Sequence, residues 1–136
     1  MKFSLIYPTR NRPDLIKVVV KFLESQTYDN IEVIISDNSD SSLSCKDHCE
    51  KAKITNLKYI KPSSNLSMVE NWNCSLEHAT GDYICYFTDK MLLLPNTLSK
   101  VKEILEKTQY DIITWLYDRY NPTDIFEVSG EGHWIS

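Results

Sequence analysis

Apolar and polar positions recur along this chain with two different periods, and the switches between them mark out its elements. FSLIY at 3–7 is nearly all apolar and is broken by Pro8, which predicts a short buried strand. From Pro13, a residue suited to a first helical position, Leu15, Val18, Val19, Phe22 and Leu23 return at three- and four-residue steps. That spacing predicts an amphipathic helix over 13–26 with those five residues inward. IEVIISD at 31–37 predicts a second strand ending at Asp37, and LKYIK at 57–61 a third. Between them, 38–53 is polar and Ser-rich, a loop with a short helix around 44–52. Ser67, with Glu70 three residues on, forms a capping box and opens a helix. Its inner face is expected from Met68, Trp72, Leu76 and Ala79, with Cys74 or Ser75 between, and its end at Gly81. YICYF at 83–87 is almost continuously apolar, the pattern of a strand covered on both faces. Asn96 then caps a helix with Leu98, Val101, Ile104 and Leu105 inward, and YDIITWLYD at 110–118 predicts a fifth strand.

Strands and helices therefore alternate, which implies βαβ units and an α/β fold. The expected architecture is a three-layer sandwich with a mainly parallel sheet and helices on both faces. At 136 residues the chain reads as one domain over 1–136, long enough to bury a core. Composition adds only exclusions. With 42% hydrophobic and 25% charged residues and a net charge of −4, the chain is neither disordered nor basic, and nucleic acid is not an expected partner. No apolar run reaches the length that crosses a bilayer, and MKFSLIY is followed at once by polar PTRNRPD, unlike a signal peptide. CKDHC spaces two cysteines by three residues, which fits neither a redox CxxC nor a zinc ribbon. A metal site from Cys45, His48 and Cys49 is weighed against free thiols, and the thiols are preferred. A cytoplasmic setting, at most at the inner face of a membrane, is expected.

Open α/β sheets bind ligands beyond the carboxyl ends of their strands. Four strand ends here carry polar clusters: PTRNR, SDNSD, KPSSN and TDK. They present Thr9, Arg10, Asp37, Asn38, Asp40, Asn65, Asp89 and Lys90. With 3 glycines, and none near the first strand, the chain has no GxGxxG and no P-loop. Any phosphate must be met by side chains or by a metal.

At these residues the chain resembles a family 2 glycosyltransferase of the GT-A fold. LIYPTRNRPDLIKVVVKFLESQTYDNIEVIISDNSD is similar to the family's opening, through a Pro-Thr-x-Asn-Arg turn, a helix ending SQTY, and IEVIISDNS. NLSMVENWNCSLEHATGDYICYFTDKMLLLPNTL is similar to the next segment, and the likeness covers about 3–105. The resemblance implies an enzyme that transfers a sugar, with inversion, from a nucleoside-diphosphate sugar (a UDP-sugar favoured) to a glycan, lipid or other hydroxyl acceptor. It places Pro8, Thr9 and Arg10 in the nucleotide pocket, Asp37 on the base with Asn38 and Ser39 alongside, and Asn65 and Asn71 near the ribose or diphosphate. Asp89 and Lys90 fall on the donor side, where the family carries Asp-x-Asp and a divalent cation, Mn²⁺ or Mg²⁺. This chain has Thr88-Asp89-Lys90-Met91 there, with the two acid positions falling on Thr88 and Lys90 or on Asp89 and Met91, so at most one metal-ligand acid survives, Asp89, and the metal is expected to be weakly held. Lys90 is then expected to supply part of the missing positive charge. The family's catalytic base lies beyond this stretch, so the chain reads as a donor-binding half, incomplete at its C-terminus. Residues 118–136 read as the start of a missing acceptor-side region. A homodimer stays open as a partner.

Plainer readings stand beside these. DNSD is turn-forming, Arg10 could serve a surface ion pair, and Trp72 and Trp115 fit a core. A receiver-like domain needs neighbouring acids at the first strand's end, which PTRNR lacks. The stronger alternative is a degenerate, non-catalytic nucleotide-sugar-binding domain that acts with a partner or a missing segment.

Overall fold

The computed structural model describes residues 1–108 and 110–114. Strand β1 (Phe3–Thr9) leads through helix α1 (Pro13–Glu24) to β2 (Ile31–Asp37). A 3-10 turn (Ser41–Leu43) and short α2 (Lys46–Glu50) precede β3 (Leu57–Ile60). Then come α3 (Met68–Glu77), β4 (Tyr83–Tyr86) and α4 (Thr97–Thr108). The four strands are parallel in the order β3-β2-β1-β4. The chain thus builds outward from β1 to β3, then crosses back to place β4 on β1's other side. That reversal between β1 and β4 is a topological switch point, where strand tips part and leave a crevice.

The alternation of side chains along each strand gives the two faces different chemistry. Phe3, Leu5 and Tyr7 of β1, Val33 and Ile35 of β2, and Cys85 beyond them pack with Ile16, Val19, Val20 and Leu23 of α1 and Leu98, Val101 and Leu105 of α4. The opposite face carries Ser4, Glu32 and Ser36, all buried, with α3 laid over its upper part. Helices on both faces make the three layers, so the α/β class and parallel sheet are as the alternation predicts. Among the described residues no helix is long and apolar enough to cross a membrane.

Several local expectations are corrected. Pro8 does not end β1: it pairs with Ser36, and the ladder continues to Thr9↔Asp37. The buried stripe of α1 is Ile16, Val19, Val20 and Leu23, so Leu15, Val18 and Phe22 flank the core. Helix α3 has its capping box, but it buries Asn71 and Ser75 and leaves Met68 75% exposed. That inner face meets a strand face of mixed character, on which Ser36 donates to Asn71 and Ile6 and Ile34 are buried. Gly81 does not terminate that helix, which ends at Glu77. A Cβ at Gly81 would sit 2.6 Å from Ser4 Oγ and 2.7 Å from Ser4 N, so the residue is small to let the chain approach β1. Strand β4 is covered on one face only, since Ile84 and Tyr86 are exposed. Tyr110–Thr114 form no strand, and the rest of the predicted fifth strand, with Trp115 and 118–136, lies outside the described residues.

Candidate functional site

The carboxyl rim is organised around Thr9, the last residue of the central strand. Its carbonyl accepts the Asn38 N–H (3.0 Å) and the Asn71 Nδ2–H (3.4 Å). Its hydroxyl donates to Asp89 Oδ2 at 2.9 Å, across the switch point. One buried residue thereby ties together the tip of β2, the first turns of α3 and the loop after β4.

Asp37, paired in register with Thr9, is fully buried. Its Oδ1 accepts the Ser39 N–H (3.1 Å). Its Oδ2 accepts the Ser44 hydroxyl (2.8 Å), the Cys45 N–H (2.9 Å) and the Tyr59 hydroxyl (2.9 Å). Burial alone would raise this carboxyl's pKa. The hydrogen bonds from Ser39, Cys45, Ser44 and Tyr59 outweigh it and hold the group below the usual carboxylate range. Asp37 therefore shapes the loop that follows it, with Oδ1 carrying the lighter load. Asn38 clamps the next loop, donating to the Leu66 carbonyl (2.7 Å) and accepting the Leu66 N–H (3.0 Å). Asn71, buried in α3, accepts the Ser36 hydroxyl at 2.6 Å.

Asn11 was not anticipated as a site residue. It adopts a left-handed conformation (φ 56°), which asparagine tolerates better than most residues. That turn lets its N–H donate to Ser39 Oγ (2.6 Å) while its side chain pairs both ways with Asp40. Lys61 closes the same loop by donating to the Ser39 carbonyl.

Asp89 is 4% exposed, and its second oxygen accepts Arg12 Nη1 at 2.9 Å. Arg12 too was missed: nothing in the repeated arginines of PTRNR distinguishes it from Arg10. The Met91 N–H donates to the Thr88 carbonyl (3.0 Å), so Thr88–Met91 is a tight turn with Asp89 and Lys90 at its corners. Asp89 points back to Thr9 and Arg12, while Lys90 is exposed. Arg10 and Lys90 have exposed side chains without an ion-pair or hydrogen-bond partner among the described residues. Asn65 is likewise exposed and unpaired, in the β3–α3 loop one residue before Leu66, and the structure does not bring it against the others. Pro8 lies buried in β1 beside Ser36. Thr9, Asp37, Asn38, Ser39, Asn71 and Asp89 are thus joined in one connected rim, with Arg10, Arg12 and Lys90 at its surface.

A divalent cation held in the family's manner needs carboxylate oxygens with open lone pairs. Among the described residues no three Asp, Glu, His or Cys side chains converge to hold a metal. The one acid of the turn has both oxygens engaged, one of them by a cation, and its neighbours are a threonine and a lysine. The donor set does not fit a tightly held divalent ion. Cys45 and Cys49 are buried free thiols with sulfurs 4.0 Å apart on the core side.

Comparison with known proteins agrees with this geometry. The sequence profile described as "Glycosyl transferase family 2" matches residues 4–134. A Campylobacter jejuni protein named GalNAc(5)-diNAcBac-PP-undecaprenol beta-1,3-glucosyltransferase is 27% identical over 104 residues, 75% of this chain and 34% of its own length. S. aureus TarS 1–349 in complex with UDP superposes with a TM-score of 0.74 at 21% identity, over 94% of this chain and 40% of that one. The mannosyltransferase PcManGT of Pyrobaculum calidifontis, in complex with GDP-Man and Mn²⁺, superposes with a TM-score of 0.67 at 23% identity, over 76% of this chain and 32% of that one. The chain spans about a third of the length of the curated relative and two fifths or less of these solved structures.

Proposed function

The chain belongs to glycosyl transferase family 2, and from that premise we propose that its carboxyl rim is the donor-binding half of a glycosyltransferase. It takes a nucleoside-diphosphate sugar, for which a UDP-sugar is favoured. Residues outside this rim bind the acceptor and supply the general base that takes the proton of its hydroxyl, and transfer proceeds with inversion. The observation that supports this reading is the connected rim at the carboxyl ends of the strands, where exposed Arg10 and Lys90 directly follow buried Thr9 and Asp89 in the chain and Thr9 bonds Asp89 across the β1–β4 switch point. Cations without a partner at that rim suit a ligand with an anionic diphosphate. Pro8, Ser39, Asn38 and Asn71 set the loop positions; Arg10 and Lys90 meet the ligand. Relatives named for UDP and for GDP-Man make both nucleotides reasonable probes.

A thermal-shift panel of UDP-, GDP-, CMP- and dTDP-sugars tests the reading. One nucleotide class is expected to raise Tm in proportion to the logarithm of its concentration. No shift from any of the four would defeat it. The single acid in Thr88–Lys90 favours a second reading, a domain that binds the donor without turnover. Measuring sugar transfer by a chain that includes the acceptor side separates the two.

A further inference from the structure

Arg12 is paired with the one acid of the turn that a metal would call on. Its guanidinium donates one N–H to Asp89 Oδ1 at 2.9 Å, while Thr9 Oγ1 fills Oδ2. A divalent ion arriving at Asp89 would find a single acid, each of whose oxygens already accepts one hydrogen bond, and would sit beside the Arg12 guanidinium as a like charge. Yet Arg12 itself is 48% exposed, and its remaining N–H groups have no partner among the described residues. A planar fork with one prong fixed by a buried acid presents the others in a set direction. Directly after Asp89 in the chain, Lys90 stands at a corner of the Thr88–Met91 turn, its ammonium without a partner among the described residues.

From this arrangement we infer that Arg12, aimed by Asp89 and assisted by Lys90, binds the donor's diphosphate directly, so that this chain takes nucleoside diphosphates without a divalent metal. Asp89 is then a positioning residue that acts through Arg12, and it ligates no ion. The sequence gives part of the replacement charge to Lys90 and leaves Asp89 as a residual metal ligand. The geometry makes Arg12 the principal cation, because of Arg10, Arg12 and Lys90 it is the one both anchored and open. Carboxylate binds one edge of a guanidinium, and phosphate oxygens suit the other.

The inference rests on the donor-binding reading, and the test keeps the two apart. Binding of UDP and of GDP would be measured by calorimetry in excess EDTA and again in Mn²⁺, with uridine and guanosine as controls lacking phosphate. The preferred diphosphate is expected to bind in EDTA within about threefold of its affinity in Mn²⁺, a difference of less than 1 kcal/mol. Arg12→Gln should weaken the diphosphate by about tenfold or more, the scale of a charged hydrogen bond, and leave the nucleoside unchanged. Arg12→Lys should recover part of the loss, and Lys90→Ala, at an exposed position, should cost less than Arg12→Gln. Binding that requires Mn²⁺, with Arg12→Gln indifferent, would overturn the inference and leave the donor reading standing. Binding of neither diphosphate in either buffer would take down both. Circular dichroism guards against a misfolded variant, and Lys90→Ala provides an exposed substitution that leaves the Asp89 contact intact.

Discussion

Glu32 and Asp89 are both buried carboxylates, one toward the amino ends of the strands and one just past the carboxyl ends, and their surroundings differ in kind. Glu32 Oε1 accepts the Ser4 hydroxyl (2.6 Å), the Thr80 N–H (2.6 Å) and the Thr80 hydroxyl (2.9 Å). Its Oε2 takes Lys58 Nζ at 2.9 Å and Lys2 Nζ at 3.1 Å. Those lysines go on to the His78 carbonyl and the Thr80 hydroxyl, and the Gly81 N–H closes onto Ser4 Oγ. Each cation at that end is committed to the protein. At the other end Asp89 holds one cation by one prong, and Arg10 and Lys90 hold nothing among the described residues. The closed network is what a structural junction requires. The open one leaves charge unspent, which costs little at a surface and becomes useful when an anion arrives.

If that contrast is right, removing charge at the closed end damages folding and spares binding. Glu32→Gln leaves two lysines facing an amide and should destabilise the fold by about 2–3 kcal/mol, less than a wholly buried pair because both lysines are partly exposed. It also predicts a pH signature. Burial would raise the Glu32 pKa, but hydrogen bonds from Ser4, Lys58, Thr80 and Lys2 outweigh it and hold the group far below the usual range. A carboxyl depressed in the folded state contributes stability above its unfolded pKa, about 4.3, and loses it as pH falls further. Urea midpoints of the wild type should therefore drop between about pH 5 and pH 2, and those of Glu32→Gln should drop less. Parallel curves for the two proteins would show that Glu32 is not the group responsible.

Gly81→Ala strikes the same junction through packing. The new Cβ would meet Ser4 Oγ at 2.6 Å, Ser4 N at 2.7 Å and the Lys2 carbonyl at 2.9 Å, and two of these are backbone atoms that cannot swing away. A loss of about 1–2 kcal/mol is expected on chemical denaturation, with diphosphate affinity within error of the wild type. A change in affinity instead would mean that the two ends of the sheet are coupled through β1, and the division drawn between them would fail.

The parts legible in the sequence were those set by local periodicity. The strand cores of IEVIISD and FSLIY, the capping box of Ser67 and Glu70, and the alternation that dictates a parallel sheet all follow from neighbours in the chain. Thr9, Asp37 and Asp89 could be placed on one rim because parallel strands put their carboxyl ends together. What could not be read depends on contacts across the chain. Helix α3 looked amphipathic by its large residues, yet Asn71 turns inward to bond Ser36 and the Thr9 carbonyl, and Met68 turns outward. Arg12 and Arg10 are indistinguishable in PTRNR until Asp89, 77 residues away, selects one of them. Gly81 followed a helix and looked like its terminator, whereas its reason is an encounter with β1 that no local pattern records.

Tyr7 offers the smallest and most discriminating test of the rule that separates the two ends, because its buried polar atom is satisfied at neither. It lies fully buried in β1, stacked on Phe87 with ring centroids 5.1 Å apart, and its hydroxyl has no hydrogen-bond partner among the described residues. Burial first, then the neighbouring Cys85, pushes its ionisation well above the usual tyrosine range, so the neutral phenol is the species that folds. A hydroxyl stripped of water without a partner is a cost, and Tyr7→Phe removes it while keeping the stacked ring. The variant should match or exceed the wild type in Tm, with a gain of up to about 1 kcal/mol. A loss of that size instead would reveal an acceptor contributed by residues outside those described here. Tyr7 would then join Thr9 as a link between β1 and the remainder of the chain, and the central strand would be committed at both its middle and its tip.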